Sequence, residues 1–162
     1  MPLDEDVMHT FRSVLGQFAT GVVVIAAADP ETGEPAGLAA NSFTSVSLDP
    51  PLVGFCIATT STSWPSIRRA ERICINVLSA SQEDICKQLA TRGGKKFEGV
   101  EWSPSPGGAP AIHGAVAWLD VSVEDEHPAG DHVIVVARVM SLGAASELPL
   151  LFFRGGYLPM PA

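Results

Sequence analysis

The chain has 162 residues and a formal net charge of −8. That length suits one domain with a real core, expected to span 1–162 with its centre over about 11–157. The acidic balance excludes nucleic acid as the main partner, because phosphate backbones require positive protein faces.

Three cysteines, widely spaced and odd in number, match neither a disulfide framework nor a zinc motif, and the four histidines share no metal-ligand spacing. Cys56, Cys74 and Cys86 sit in apolar patterns and read as core thiols. No apolar run reaches membrane-spanning length, and MPLDEDVM lacks the basic-then-apolar order of a signal peptide, so a cytoplasmic location is expected.

Asp4 and Asp6 are candidate caps for a first helix. Val7, Phe11, Val14, Leu15 and Phe18 recur at helical spacing, so this helix carries an apolar stripe and is expected to cover one end of a sheet or barrel. Val22 to Ala28 is a continuous apolar strand, 29–35 is a turn, and Gly37 to Thr44 is its antiparallel partner. A hairpin at this place, without GxGxxG or a P-loop, weighs against a Rossmann fold.

Residues 37–57 read GLAANSFTSVSLDPPLVGFCI. An extended run rich in small and hydroxyl side chains is followed by an Asp-Pro-Pro turn and an apolar strand from Leu52. Small side chains let a ligand approach the backbone, and hydroxyls and bare N–H groups suit phosphate or a heteroaromatic edge. A Ser/Thr-rich edge strand without a ligand is the competing reading.

Thr59 to Ser63 is a hydroxyl loop, and Pro65 to Ala70 a short helix opened by proline. Arg72 to Ser79 is a strand with Ile73, Ile75 and Val77 on one face. Ser81 with Asp84 resembles a capping box for the next helix. The loop TRGGKKFEG, 91–99, gathers Arg92, Lys95 and Lys96 around two glycines in an otherwise acidic chain. It reads either as a solvated helix end or as an arm that closes on phosphate.

Residues 100–112 are Pro/Gly-rich and read as irregular. Ala115 to His127 and Asp131 to Leu142 form a second hairpin around Pro128-Ala129-Gly130. Leu150 to Phe153 is a last strand, with Arg154-Gly155-Gly156-Tyr157 as a tail. Six or seven closely spaced antiparallel strands with two or three short helices favour a small closed barrel, which removes exposed edges. His132, at the mouth of a strand, either faces a ligand or is a partly exposed turn residue. No nucleophile elbow, HExxH or paired carboxylates support hydrolysis. Redox chemistry carried by a flavin needs fewer protein groups.

FATGVVVI, AANSFTSVSLDPPLVGFCI, INVLSASQEDI, KKFEGVEW, GGAPAIHGAVAWLD, AGDH and FFRGGY, in this order, resemble the flavin reductase-like, FMN-binding split-barrel family. The similarity is greatest to NAD(P)H:flavin oxidoreductase components of two-component flavin monooxygenases. The resemblance implies a mainly β, antiparallel split β-barrel with a few short covering helices. It implies a homodimer that transfers hydride from NADH or NADPH to FMN or FAD and supplies a separate monooxygenase.

On this chain it implies a flavin ring against Ala40, Asn41, Ser42 and Ser47, with Cys56 on the same wall. Thr59, Ser61 and Ser63 would hold the phosphate or ribityl chain, and Lys95, Lys96 and Phe97 would complete the phosphate side. His132 would lie near the nicotinamide, and Arg154 and Tyr157 near the ring or the nucleotide. Ala39 stands where many family members carry threonine, which removes one hydroxyl. The alternatives are a split-barrel oxidase or reductase of another small molecule and a non-catalytic flavin-binding protein.

Overall fold

The computed structural model describes residues 4–161; residues 1–3 and 162, at the two ends of the expected domain, lie outside the described residues. In chain order the elements are α1 Glu5–Leu15, β1 Thr20–Gly21, β2 Val23–Ala28, β3 Pro35–Ala40, β4 Thr44–Leu48, β5 Pro51–Ala58, α2 Trp64–Arg69 and β6 Ile73–Val77. A 3-10 turn, Ala80–Gln82, leads into α3 Glu83–Ala90. Then come β7 Trp102–Pro104, β8 Pro110–Ile112, β9 Ala117–Ala129, β10 His132–Ala144, β11 Leu150–Phe153 and β12 Gly156–Pro159.

The main sheet has seven antiparallel strands in the order β3-β2-β6-β9-β10-β5-β4. Both expected hairpins are present: β2 pairs with β3, and the long β9 and β10 pair around Gly130 (φ 65°). The chain is mainly β, as the sequence indicates. Ile25, Phe55, Ile57, Ile73, Ile75, Val121 and Val135 fill the inside of the curved sheet. A second apolar cluster on the outside, with Val24, Leu78, Cys86 and Leu89, packs α3 against β2 and β3. Cys74 and Cys86 are buried thiols, and burial beside Asp120 pushes Cys74 up to about 12, so it stays protonated.

The strip does not close by a ladder. β3 and β4 are neighbours in sequence but opposite edges in the sheet, and the pairing of β3 stops at Ala40 while that of β4 starts at Thr44. The expected single run from Gly37 to Ser47 is therefore two strands, with Asn41–Phe43 crossing the gap between them.

Four other expectations are corrected. The α1 stripe is left largely bare: no residue of α1 is buried, and Phe11, Val14, Leu15 and the following Phe18 are 55–76% exposed. Amphipathic spacing identifies a face that needs cover without saying what covers it. The capping box is Ser79 with Gln82, not Ser81 with Asp84; the Ser79 N–H donates to Gln82 Oε1 at 2.9 Å. The segment 100–112 contains the β7–β8 ribbon. The tail turns back as β12, because Arg154 (φ 50°) and Gly155 (φ 75°) form a tight left-handed turn.

Buried polar groups tie the periphery to the sheet. Asn76 donates to Pro110 O at 3.1 Å and accepts from Ile112 N–H at 2.8 Å, which docks β8. Asp120 is fully buried, accepts from Gly107 N–H and lies 3.5 Å from Arg72 Nη1. A Cβ on Gly107 would meet both Asp120 oxygens at 2.6 Å and Arg72 Cγ at 2.7 Å. Gly107→Ala is expected to cost about 1–3 kcal/mol of stability through this clash. Urea unfolding measures it, and an unchanged midpoint would show that the loop can move aside freely.

Candidate active site

The gap in the strip is pinned by one hydroxyl. Ser42 Oγ accepts from the Cys56 N–H at 2.9 Å and donates to the Cys56 carbonyl at 3.1 Å. A side chain thus does what a ladder residue would have done, and it holds the 41–43 crossing against the outer edge of β5.

A cavity of about 330 Å³ opens on the outer face at this seam. Its wall is made of small groups: Ala39 and Ala40 from β3, Cys56 and Ala58 from β5, and Ala90 from the end of α3. Asn41 and Ser42 form one rim, and their backbone lies outside both ladders. The hydroxyl loop forms another. Ser61 Oγ accepts from the Trp64 N–H at 3.2 Å and so anchors the start of α2. Ser63, at the N-cap of α2, makes no side-chain cap bond; its hydroxyl accepts from Lys96 Nζ at 2.9 Å instead.

Lys96 is the best-held cation of the site. Its three N–H donors meet Ser63 Oγ, Leu89 O at 3.2 Å and Gly37 O at 3.4 Å, all neutral oxygens. Burial pushes its pKa below that of an ordinary lysine. Arg92 Nη2 reaches the Thr60 hydroxyl at 3.3 Å and lines the same cavity. Neither makes an ion pair among the described residues, and no carboxylate lines the cavity. In a chain of net charge −8, two cations beside four consecutive hydroxyl residues and no acid describe an anion site.

His132 enters the cavity from the other side. It sits opposite Ala58 in the β5–β10 register, and its Nδ1 is 2.7 Å from Asp131 Oδ1. That contact holds the Asp131 carboxyl below its usual range. With Nδ1 engaged by a carboxylate, Nε2 is the ring nitrogen left to meet a ligand. Thr59 holds this turn in place, since its N–H and its hydroxyl both donate to the Asp131 carbonyl, at 2.9 and 3.1 Å.

Of the residues singled out in the sequence, Ala40, Asn41, Ser42, Cys56, Ser61, Ser63, Lys96 and His132 line this one cavity. Five do not. Thr59 spends its hydroxyl on Asp131 and positions the His132 turn. Ser47 pairs with Leu52 at the far end of β4. Lys95 and Phe97 face a neighbouring cavity. Arg154 donates to Gln17 Oε1 at 3.0 Å and lies over the Phe153 ring, away from the site. Tyr157 lines a small adjoining cavity of about 160 Å³ behind Ala39–Asn41, where sharing its hydroxyl with Cys86 raises it to about 12. Thr60 and Thr62 also line the cavity and were missed as site residues, although the TTSTS run carried the signal; Arg92 lines it too, in keeping with the reading of the basic loop as an arm toward phosphate.

The residues present suit a phosphorylated heteroaromatic group, with a small-residue wall for a flat ring and cations and hydroxyls at one end. The model of the "flavin reductase like domain" family matches residues 15–161. A flavin reductase of Pseudomonas putida is 49% identical over 148 residues, which cover 91% of this chain and 86% of that protein. The flavin-dependent monooxygenase reductase subunit HsaB of Rhodococcus jostii is 46% identical, covering 91% and 75%. Among solved structures, nitrilotriacetate monooxygenase component B from Mycobacterium thermoresistibile superposes with a TM-score of 0.90 at 41% identity, covering 98% of this chain and 93% of that one.

The seam is testable without any ligand. Ser42→Ala leaves the Cys56 N–H and carbonyl unmet in a half-buried place, and the expected loss is about 1–3 kcal/mol of stability. Amide exchange at Cys56 should accelerate with it. Unaltered exchange there would show that the hydroxyl does not hold the gap.

Proposed function

The chain belongs to the flavin reductase like domain family, and from that premise we propose that it is an NAD(P)H:flavin oxidoreductase whose flavin lies in the seam cavity. The observation that carries this reading is the carboxylate-free cavity with Arg92 and Lys96 at one end and His132 at the other. The flavin, when bound, supplies the electron-accepting chemistry by taking a hydride from a dihydronicotinamide.

The protein's own contribution is placement and electrostatics. Lys96, Arg92 and the 60–63 hydroxyls hold the phosphate end. Asn41 and Ser42, free of both ladders, offer N–H groups to the polar edge of the ring, where negative charge grows during reduction. Ala39, Ala40 and Ala58 leave one broad wall smooth enough for a flat ring. His132, oriented by Asp131 and braced by Thr59, positions the nicotinamide through Nε2. Holding two planar reactants face to face accounts for much of the acceleration.

HsaB and nitrilotriacetate monooxygenase component B bear names that place them with a monooxygenase. By that analogy the reduced flavin of this chain passes to a separate monooxygenase. A second copy of the chain is part of the same reading. The bare apolar face of α1 adjoins a cavity of about 650 Å³ that also takes in Asn41–Thr44, and a partner copy there would cover both.

Anaerobic rapid mixing tests the reading: flavin bound to the protein should bleach on addition of NADH or NADPH. His132→Ala is expected to slow that bleaching by about tenfold, the effect of losing roughly 1.4 kcal/mol of positioning in the transition state. An unchanged rate with unchanged nicotinamide affinity would remove His132 from the role. Protein that binds flavin but never bleaches it would favour a non-catalytic flavin binder.

The phosphate placement has its own signature. Lys96→Ala should weaken FMN binding by about 1.5–3 kcal/mol and riboflavin binding far less. The pH dependence follows from the lowered pKa of Lys96. An anion favours the protonated lysine, so FMN affinity is full below that pKa and falls as pH rises through it, earlier than for an ordinary lysine. Titration calorimetry across the alkaline range measures this, and an equal fall for riboflavin would contradict it.

A further inference from the structure

The last turn of α3 leaves carbonyls to be met from beyond the helix. Thr91 takes two of them: its hydroxyl donates to Lys87 O at 2.8 Å and its N–H to Gln88 O at 3.3 Å. The Leu89 carbonyl is met by Lys96 Nζ at 3.2 Å. The cation of the seam cavity therefore also caps the helix, at the end where the backbone dipole favours positive charge.

The Gln88 side chain grips the same lysine from its other end. Its amide nitrogen donates to the Lys96 carbonyl and to the Glu98 carbonyl, each at 2.7 Å. Both neighbours are acceptors, so the two N–H donors of the amide are spent on the loop. Gln88 does not itself line the seam cavity. The loop that leads to Lys96 is loosely packed: residues 91–95 are all exposed, and a Cβ added to Gly93 or Gly94 would meet nothing within 4 Å. Two successive residues of α3 thus hold Lys96, Gln88 by its main chain and Leu89 by its ammonium.

We propose that Gln88 is a positioning residue of the flavin site: by clamping the Lys96 and Glu98 carbonyls to α3, it brings the Lys96 ammonium to the ligand's phosphate. The inference rests on the flavin phosphate lying at Lys96. A lysine has a long, freely rotating stem, and gathering its ammonium from solvent at the moment of binding costs affinity. Anchoring the main chain at one end and the amine at the other removes that cost before the ligand arrives.

The test compares FMN with riboflavin, which lacks the phosphate, on the intact protein, Gln88→Met, Lys96→Ala and the double variant. Gln88→Met keeps length and helix propensity but has no N–H to give. It is expected to weaken FMN binding about tenfold and riboflavin binding less than about twofold. In the Lys96→Ala background the same change is expected to cost FMN less than about twofold, because no ammonium remains to be positioned. The fall of FMN affinity at alkaline pH is expected to shrink by the same factor in Gln88→Met, since less of the binding then depends on the charged lysine. Gln88→Ala is expected to show the same selectivity, and it carries the test if Gln88→Met does not fold.

Equal losses for FMN and riboflavin, losses that simply add in the double variant, or an unchanged alkaline fall would make Gln88 a mere support of the loop and overturn the proposal. If Lys96→Ala binds FMN as the intact protein does, the phosphate placement fails and the proposal with it. If selectivity for FMN is lost in Lys96→Ala but kept in Gln88→Met, the failure is confined to Gln88.

Discussion

Two hydrogen bonds between the Ser42 hydroxyl and one residue, Cys56, one donated and one accepted, hold together a sheet that has no ladder at that place. Everything that concerns the site follows from this substitution of a side chain for a strand partner. Had β3 and β5 paired through their backbones, the wall would be continuous and the N–H groups of 41–43 consumed. Because a single serine bridges the gap, the chain can cross from one edge of the sheet to the other and leave backbone free beside a cavity. The small residues around the crossing keep the opening wide enough for a flat ligand.

The electrostatic design is equally economical. The acidic surplus of the chain is kept away from the seam cavity, whose two cations are braced by carbonyls and hydroxyls instead of carboxylates. An ammonium satisfied by neutral oxygens keeps its net charge for a ligand, where one neutralised by an ion pair would not. The same economy appears at His132. Asp131 sets the ring, and Thr59 ties the turn to the hydroxyl loop, so the two ends of the site are mechanically one piece.

Much of this was legible in the residues. Alternating β-branched runs on either side of Gly130, and the apolar run before 29–35, specify hairpins with little ambiguity. The site was legible where one short stretch supplies several groups, as in Ala40-Asn41-Ser42. It was less legible where position depends on tertiary contacts. Lys95 and Lys96 are adjacent in sequence and chemically identical, yet one is an exposed rim residue and the other is half-buried with three partners. Thr59 and Ser61 differ in the same way, one turned to the Asp131 carbonyl and one to the cavity. Local pattern places such residues within a few ångströms of a site; which way each points is decided by partners distant in sequence. The α1 stripe shows the same boundary for packing, since its face is written in the sequence and its cover is not.

Tyr157 is the only tyrosine in the chain, and it sits where the β11–β12 hairpin meets α3, sharing its hydroxyl with Cys86. The Cys86 contact and burial at that junction push its proton up to about 12. The phenol is therefore a built-in optical reporter. An ultraviolet titration sees a single chromophore ionise late when hairpin and helix are docked, and at the ordinary value of about 10 when they part. The wall of the site can thus be watched in solution without a label and without a ligand.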